Sequence, residues 1–197
     1  MIPVVGHLIR DYAPADEASW LRCRVLSFLA TAYFDDVDRA KPAIPAPGLE
    51  LVAADAAGGV VGILDVLVEG DSATIDTVAV HPDHQRLGIA RDLLAEARAR
   101  LSALGVTTLD AWTRDDPGTL DWYRAMGFAE SDHYLHVFAH AYTDPAEPPR
   151  AVAQPHPDLR PVALFLHADL RHERAMRARF ARVHVCRRFS TALTHQP

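Results

Sequence analysis

Seven residues, Gln85-Arg86-Leu87-Gly88-Ile89-Ala90-Arg91, carry the strongest chemical signal in the sequence. An apolar, β-branched run from Ile75 to Val80 precedes them and reads as a buried strand. His81-Pro82-Asp83 stops that strand. A helix is predicted from about Gly88 to Leu104, with Ile89, Leu93, Ala97, Leu101 and Leu104 on one face. The first backbone N–H groups of such a helix have no acceptor within it and carry partial positive charge. Gly88 and Ala90 keep side-chain bulk away from them. Together these features satisfy the physical needs of a phosphate cradle.

Other chemistries find less support. No lysine follows the glycine loop, which argues against nucleoside triphosphate hydrolysis. No serine stands in a strand-to-helix elbow of the hydrolase kind. Eleven His are present, but zinc needs three or four convergent ligands. His81 and His84 are three residues apart. On one strand, His136 and His140 share a face while His133 points away. No metal is expected from these sets. Cys23 and Cys186 lack metal-ligand spacing and suit a reducing compartment.

A chain of 197 residues fits one domain, or one domain with an extension, and 49% hydrophobic residues allow a sizeable core. The net charge of -6 argues against a nucleic-acid partner and suits a cationic acceptor. Nineteen of the twenty basic residues are Arg; Lys41 is the only Lys, a bias that reads as genome composition. The start lacks a basic segment followed by a long apolar one, and no run reaches the length of a membrane span. The expectation is a cytoplasmic protein with no membrane partner.

The elements that must position the loop come in chain order. Val4 to Arg10 reads as a strand and Ala15 to Ala30 as an amphipathic helix through Leu21, Val25, Phe28 and Leu29. Tyr33 to Val37 suggests a short second helix, ended by Pro42, Pro45, Pro47 and Gly48. Leu49 to Ala54 and Val60 to Val68 are strands joined by a glycine-containing turn. After the long helix, Thr107 to Thr113 reads as a strand, and strand–helix–strand implies a parallel neighbour. Asp116 is placed to cap a helix that Pro117 begins and Gly127 closes. His133 to Ala141 and Val183 to Phe189 are strands. Between them, Tyr142 to Pro161 reads as a proline-rich loop, Val162 to Leu166 as a short apolar run, and Asp169 to Arg182 as a helix.

Gln85-Arg86-Leu87-Gly88-Ile89-Ala90 resembles the acyl-CoA loop of the GNAT superfamily of N-acyltransferases: Gln or Arg, two residues, Gly, one residue, Gly or Ala. Tyr123-Arg124-Ala125-Met126-Gly127-Phe128 looks like the Tyr, three residues, Gly, Phe of the family's fourth helix. The resemblance covers about a third of the chain. The family usually has Asn where Asp116 stands. The fold implied is α/β, a mixed, mostly antiparallel sheet flanked by helices on both sides. Residues 1–141 would form the acyltransferase core and 182–197 its final strand and tail. Residues 142–181 would be an insertion between the last two strands, which pair antiparallel in the family.

The resemblance implies an acetyl-CoA-dependent N-acetyltransferase acting on a primary amine. It assigns backbone groups of the strand segment Val78, Ala79 and Val80 to the pantetheine arm and those of Arg86 to Arg91 to the pyrophosphate, with Gln85 opening the loop. The region of Tyr33, Asp35, Asp36 and Asp38 would line the acceptor site or form a solvated acidic loop. An alkylamine with pKa ~10.4 must lose a proton before it attacks a thioester, and a thiolate leaving group near ~8.5 gains from a proton donor. The oxyanion needs a fixed donor, for which a backbone N–H near Val78 is suited. Tyr123 is the candidate acid. Asp76 is the candidate base, directly or through water, or else a polar residue at a strand edge. The implied partners are a small-molecule or protein amine, with a homodimer left open. The alternative is a non-catalytic acyl-CoA-binding or sensing module.

Overall fold

The computed structural model describes residues 6–152 and 158–193. The strands are β1 (Leu8–Asp11), β2 (Leu49–Ala54), β3 (Val60–Glu69), β4 (Ser72–Val80), β5 (Thr108–Thr113), β6 (Ala129–His140), β7 (Ala163–Ala168) and β8 (Arg182–Ala192). The α-helices are α1 (Glu17–Phe28), α2 (Ile89–Ala103), α3 (Pro117–Ala125), α4 (Glu147–Ala151) and α5 (Glu173–Arg177). All eight strands join one sheet in the order β1-β2-β3-β4-β5-β8-β6-β7. Only the β4–β5 pair is parallel. The molecule is therefore an α/β protein with a mixed, mostly antiparallel sheet and helices on both faces.

Side-chain pattern decides which helix covers which face. Ile89, Leu93, Ala97 and Leu101 of α2 recur at helical spacing and bury against Leu51, Leu64 and Val66. Leu120 and Tyr123 of α3 join the same cluster. On the opposite face, Trp20 and Cys23 of α1 pack on Val52, Ile63 and Ala79. A third cluster, Leu135, Val137, Val183 and Val185 with Phe180, holds the C-terminal strands together.

A one-residue irregularity interrupts β4. Val66 pairs with Ile75 and Asp65 with Thr77, so Asp76 is an extra residue with no partner on β3. The bulge inverts the alternation of the strand. Ala73 and Ile75 before it, and Val78 and Val80 after it, all pack toward the α2 cluster. Ala79 instead faces α1.

Several sequence expectations are corrected. Tyr33 to Val37 is not a helix; residues 32–35 are turns, because Asp35 and Asp36 are drawn to arginines elsewhere rather than to a local cap. The apolar run expected from Val162 to Leu166 enters a strand, β7, at Ala163, and this strand adds to the free edge of β6. The helix expected over Asp169 to Arg182 shrinks to a 3₁₀ turn, Leu170–His172, and the five residues of α5. The proline-rich stretch contains α4, whose prolines sit in its first turn, where a missing N–H is harmless. Leu104, placed on the buried face of α2, is 49% exposed, and Leu94 is buried in its stead. Val4 and Val5 of the first predicted strand lie outside the described residues. No helix among the described residues is long and apolar enough to cross a membrane.

Candidate active site

Parallel pairing of β4 with β5 runs only from Ser72–Thr108 to Ile75–Ala111. Beyond Ile75 the two strands part. The bulge at Asp76 falls at that point of divergence. A cleft of about 1030 Å³ fills the opening, walled by β4, the loop before α2, the end of β5, α3, and the segment after α1.

Backbone polarity along β4 is set by hydrogen-bond alternation. The N–H of His81 donates to Val61 O of β3 at 2.9 Å. In an antiparallel pair, alternate residues turn both backbone groups to the same neighbour. Ala79 therefore directs its N–H and C=O to β3, while Val78 and Val80 direct theirs to the opening. The Gln85 side chain reaches back and donates to Val80 O at 3.4 Å, in keeping with that orientation.

The loop after β4 is bent by two left-handed residues, Arg86 at φ +66° and Gly88 at φ +85°. For Arg86 this conformation is uncommon, and for Gly88 it is free of steric cost. Gly88 is the N-cap of α2 and gives no side-chain cap. The first intrahelical bond is from Asp92 N to Gly88 O, leaving the N–H groups of Ile89, Ala90 and Arg91 without helical acceptors. A Cβ on Gly88 would lie 3.2 Å from the Arg91 guanidinium. Gln85, Arg86, Gly88, Ile89, Ala90 and Arg91 all line the cleft. Leu87 is 48% exposed and does not line it. These residues fit an anionic group at the helix start: free N–H donors, no Cβ, and a nearby arginine.

α3 reaches the cleft from the far side. Asp116 caps it, accepting from Thr119 N at 2.9 Å and Thr119 Oγ1 at 2.7 Å. Tyr123 is 3% exposed, stacked on Phe189 and edge-on to Phe128. Burial, with Tyr33 adding to it, raises the Tyr123 phenol above its usual range and keeps it protonated at neutral pH. Asp76 is exposed, lines the cleft, and accepts from Thr77 Oγ1 at 3.2 Å.

The segment after α1 closes the cleft. Tyr33 OH accepts from Arg114 N at 2.9 Å, and the Arg114 guanidinium lies 4.2 Å from the Tyr33 ring centre. Burial raises the Tyr33 phenol as well. The carboxylates here are not free. Asp35 holds Arg182 through both oxygens, at 2.5 and 2.8 Å. Asp36 and Asp38 hold Arg24 at 3.2 and 3.0 Å. Arg24 is buried and lines the cleft with both of these acidic residues. Sequence reasoning missed Arg24 and Arg114, since their partners lie far off along the chain. Trp112, also in the cleft wall, was read only as part of a strand. No group of three or more His, Cys, Asp or Glu among the described residues could hold a metal ion.

Residues 47–130, which include β4, the loop, α2, β5 and α3, match the family described as the acetyltransferase (GNAT) domain. This segment belongs to the GNAT superfamily. No curated protein sequence matches the chain. Among solved structures, the ribosomal-protein-S18-alanine N-acetyltransferase of Escherichia coli aligns with a TM-score of 0.60 at 17% identity, covering 98% of this chain and 97% of that one. A GNAT phosphinothricin acetyltransferase from Sinorhizobium meliloti, in complex with AcCoA, aligns at 0.59 and 16% identity over 95% and 88%. The PaiA N-acetyltransferase of Thermoplasma acidophilum, in complex with coenzyme A, aligns at 0.55 and 15% identity over 64% and 92%. At such identities the likeness is one of GNAT fold.

Proposed function

We propose that the protein is an acetyl-CoA-dependent N-acetyltransferase that acetylates a primary amine by direct attack, through a tetrahedral intermediate. One observation carries the reading: the side-chain-free helix start at Gly88 opens into the same cleft as the parted strands and Tyr123. A phosphate-bearing cosubstrate held at Ile89 to Arg91 would extend its arm along the free backbone groups of Val78 and Val80. A backbone N–H near Val78 would face the oxyanion as it forms. Tyr123 would supply the proton that the departing thiolate takes. Asp76, at the bulge, would receive the first proton from the amine. The amine itself would enter beside Arg24, Asp36, Asp38 and Trp112.

Amine-dependent release of free thiol from acetyl-CoA, measured over a panel of small amines and peptides, tests this. The proposal expects at least one amine to raise the rate in a saturable way. Acetyl-CoA binding without amine-dependent thiol release would instead fit a binding or sensing module.

A further inference from the structure

Residues 29–48, between α1 and β2, form neither helix nor strand. Loops beyond ~12–15 residues without secondary structure are uncommon in compact domains and are usually functional. The first part of this one lines the cleft through Ala30, Thr31, Tyr33, Asp36 and Asp38. Its own bonds make only short turns: Phe34 N donates to Thr31 O at 3.3 Å and Asp36 N to Tyr33 O at 2.9 Å. Those turns do not fix the segment against the sheet.

Two arginines from the C-terminal half of the sheet do. Arg114, just beyond β5, and Arg182, the first residue of β8, both donate to Ala32 O, Arg182 at 2.8 Å. Arg182 also grips Asp35 as a fork, and its guanidinium lies 4.5 Å from the Phe34 ring centre. Arg114 covers the Tyr33 ring in the same way. Four consecutive residues, Ala32 to Asp35, thus each meet one of these two groups. A planar guanidinium can fork onto a carboxylate while its flat face covers a ring, and an ammonium cannot.

The arginines are themselves placed from behind. The Phe138 ring of β6 lies 3.9 Å from the Arg182 guanidinium and 5.1 Å from that of Arg114. His136, on the same face of β6, accepts from Arg114 Nε at 3.2 Å. Phe138 stacks on Phe165 of β7, with ring centres 4.8 Å apart and planes 26° from parallel. Arg182 directly follows Ala181, whose N–H is held by Glu147 of α4. No described residue of 142–181 lines the cleft, yet this stretch reaches the cleft wall through Phe138 and Arg182.

We infer that Arg182 and Asp35 are a positioning pair for the amine: they fix the segment 31–38 as the wall of the amine end of the cleft and make that wall depend on β7. This rests on the N-acetyltransferase reading of the cleft. Neither residue lines the cleft. Both act through Tyr33, Asp36 and Asp38, which the pair holds where an amine would meet them. The wall would meet the amine equally before and during reaction, so its loss falls on the amine KM and not on kcat. The loop from Gln85 to Arg91 makes no bond to this segment among the described residues, so acetyl-CoA binding is untouched.

The test is steady-state kinetics with an amine that wild type acetylates, for Asp35→Asn, Arg182→Gln, the double variant and Phe165→Ala. Asp35→Asn is nearly isosteric at an exposed site, so folding does not confound it. Each single change at the pair should raise the amine KM by ~10-fold, as for one lost charge-assisted contact, and leave kcat within about threefold. Acetyl-CoA affinity by calorimetry should match wild type. The double variant should be no worse than the poorer single one, because both act through one contact. Phe165→Ala, at an exposed ring outside the cleft, should raise the amine KM by a smaller factor. An amine KM within about twofold of wild type in both single variants overturns the positioning role and leaves the N-acetyltransferase reading intact. If wild type turns over no amine, that reading fails and the positioning role with it. Hydrogen exchange over residues 29–40, followed by mass spectrometry, is a check that needs no turnover. It should quicken there in Arg182→Gln while β4 and α2 exchange as in wild type; unchanged exchange over 29–40 overturns the inference.

Discussion

Tyr123 lies flat on Phe189, with ring centres 5.4 Å apart and planes 14° from parallel. The ring is fixed by packing, so the hydroxyl can be removed with little disturbance to the fold. Tyr123→Phe should lower kcat by ~10²–10⁴-fold, the usual range for general acid catalysis, and leave acetyl-CoA affinity nearly unchanged. Steady-state kinetics with a competent amine measures this. A variant within about threefold of wild type, where chemistry limits the rate, would leave Tyr123 a packing residue.

Gly88 stands at φ +85°, where an L side chain is strained. Gly88→Ala should cost about 1 kcal/mol of stability, seen in urea denaturation, because the left-handed conformation carries roughly that penalty. Gly88→Glu adds a negative charge at the helix start. Calorimetry should find its acetyl-CoA affinity lost while its circular dichroism stays native. Unchanged affinity in a folded variant would remove the loop from the cosubstrate site.

Stability should respond to pH through two opposed groups. Burial raises the Asp65 carboxyl to about 7, so the folded state holds the extra proton between about 4 and 7 and loses stability as pH climbs through that window. His136 is lowered to about 4, chiefly by burial and then by Arg114, so the unfolded state holds the extra proton below about 6.5. Its contribution therefore improves stability as pH rises from about 4 to 6.5. Each effect is on the order of 3 kcal/mol, and they oppose. Asp65→Asn should uncover a steep rise of stability with pH, and His136→Gln a fall. Urea midpoints at pH 4.5, 5.5 and 6.5 measure both; parallel profiles in the two variants would contradict the assignment.

Glu147 is 3% exposed and joins the ends of two strands, accepting from His140 N at 3.1 Å and Ala181 N at 2.6 Å. Glu147→Ala leaves both donors without that acceptor. A loss of ~2 kcal/mol is expected, or a fall in Tm of roughly 4–8 °C for a chain of this size. Acetyl-CoA affinity should hold, since no described residue of 142–181 lines the cleft. An unchanged Tm would show that α4 rests on the core without supporting it.

How far these features could be read beforehand depends on how local their causes are. The strand, loop and start of α2 were legible because alternation, a proline stop and a left-handed glycine all act within a few residues. Asp116 and Pro117 announced α3 for the same reason. The bulge at Asp76 was not legible: it is a relation between β3 and β4, and nothing in Ile75 to Val80 departs from an ordinary strand. The arginine clamps on Asp35, Asp36 and Asp38 join residues up to 147 positions apart. β7 was missed because its apolar run is short and its burial alternates weakly, and pairing with β6, a partner distant in sequence, makes it a strand. Lys41 looked like a compositional remnant, yet its buried ammonium is held by Glu50 and Asp65.

Transfer of a labelled acetyl group from acetyl-CoA to an amine, followed for wild type and Gly88→Glu side by side, decides whether the cleft is an acetyltransferase site. With wild type, label is expected on the nitrogen of at least one amine, in amounts matching the free thiol released. A Gly88→Glu protein of native circular dichroism should give none above background. Wild type that leaves every amine unlabelled, or Gly88→Glu that labels it equally well, would contradict the assignment.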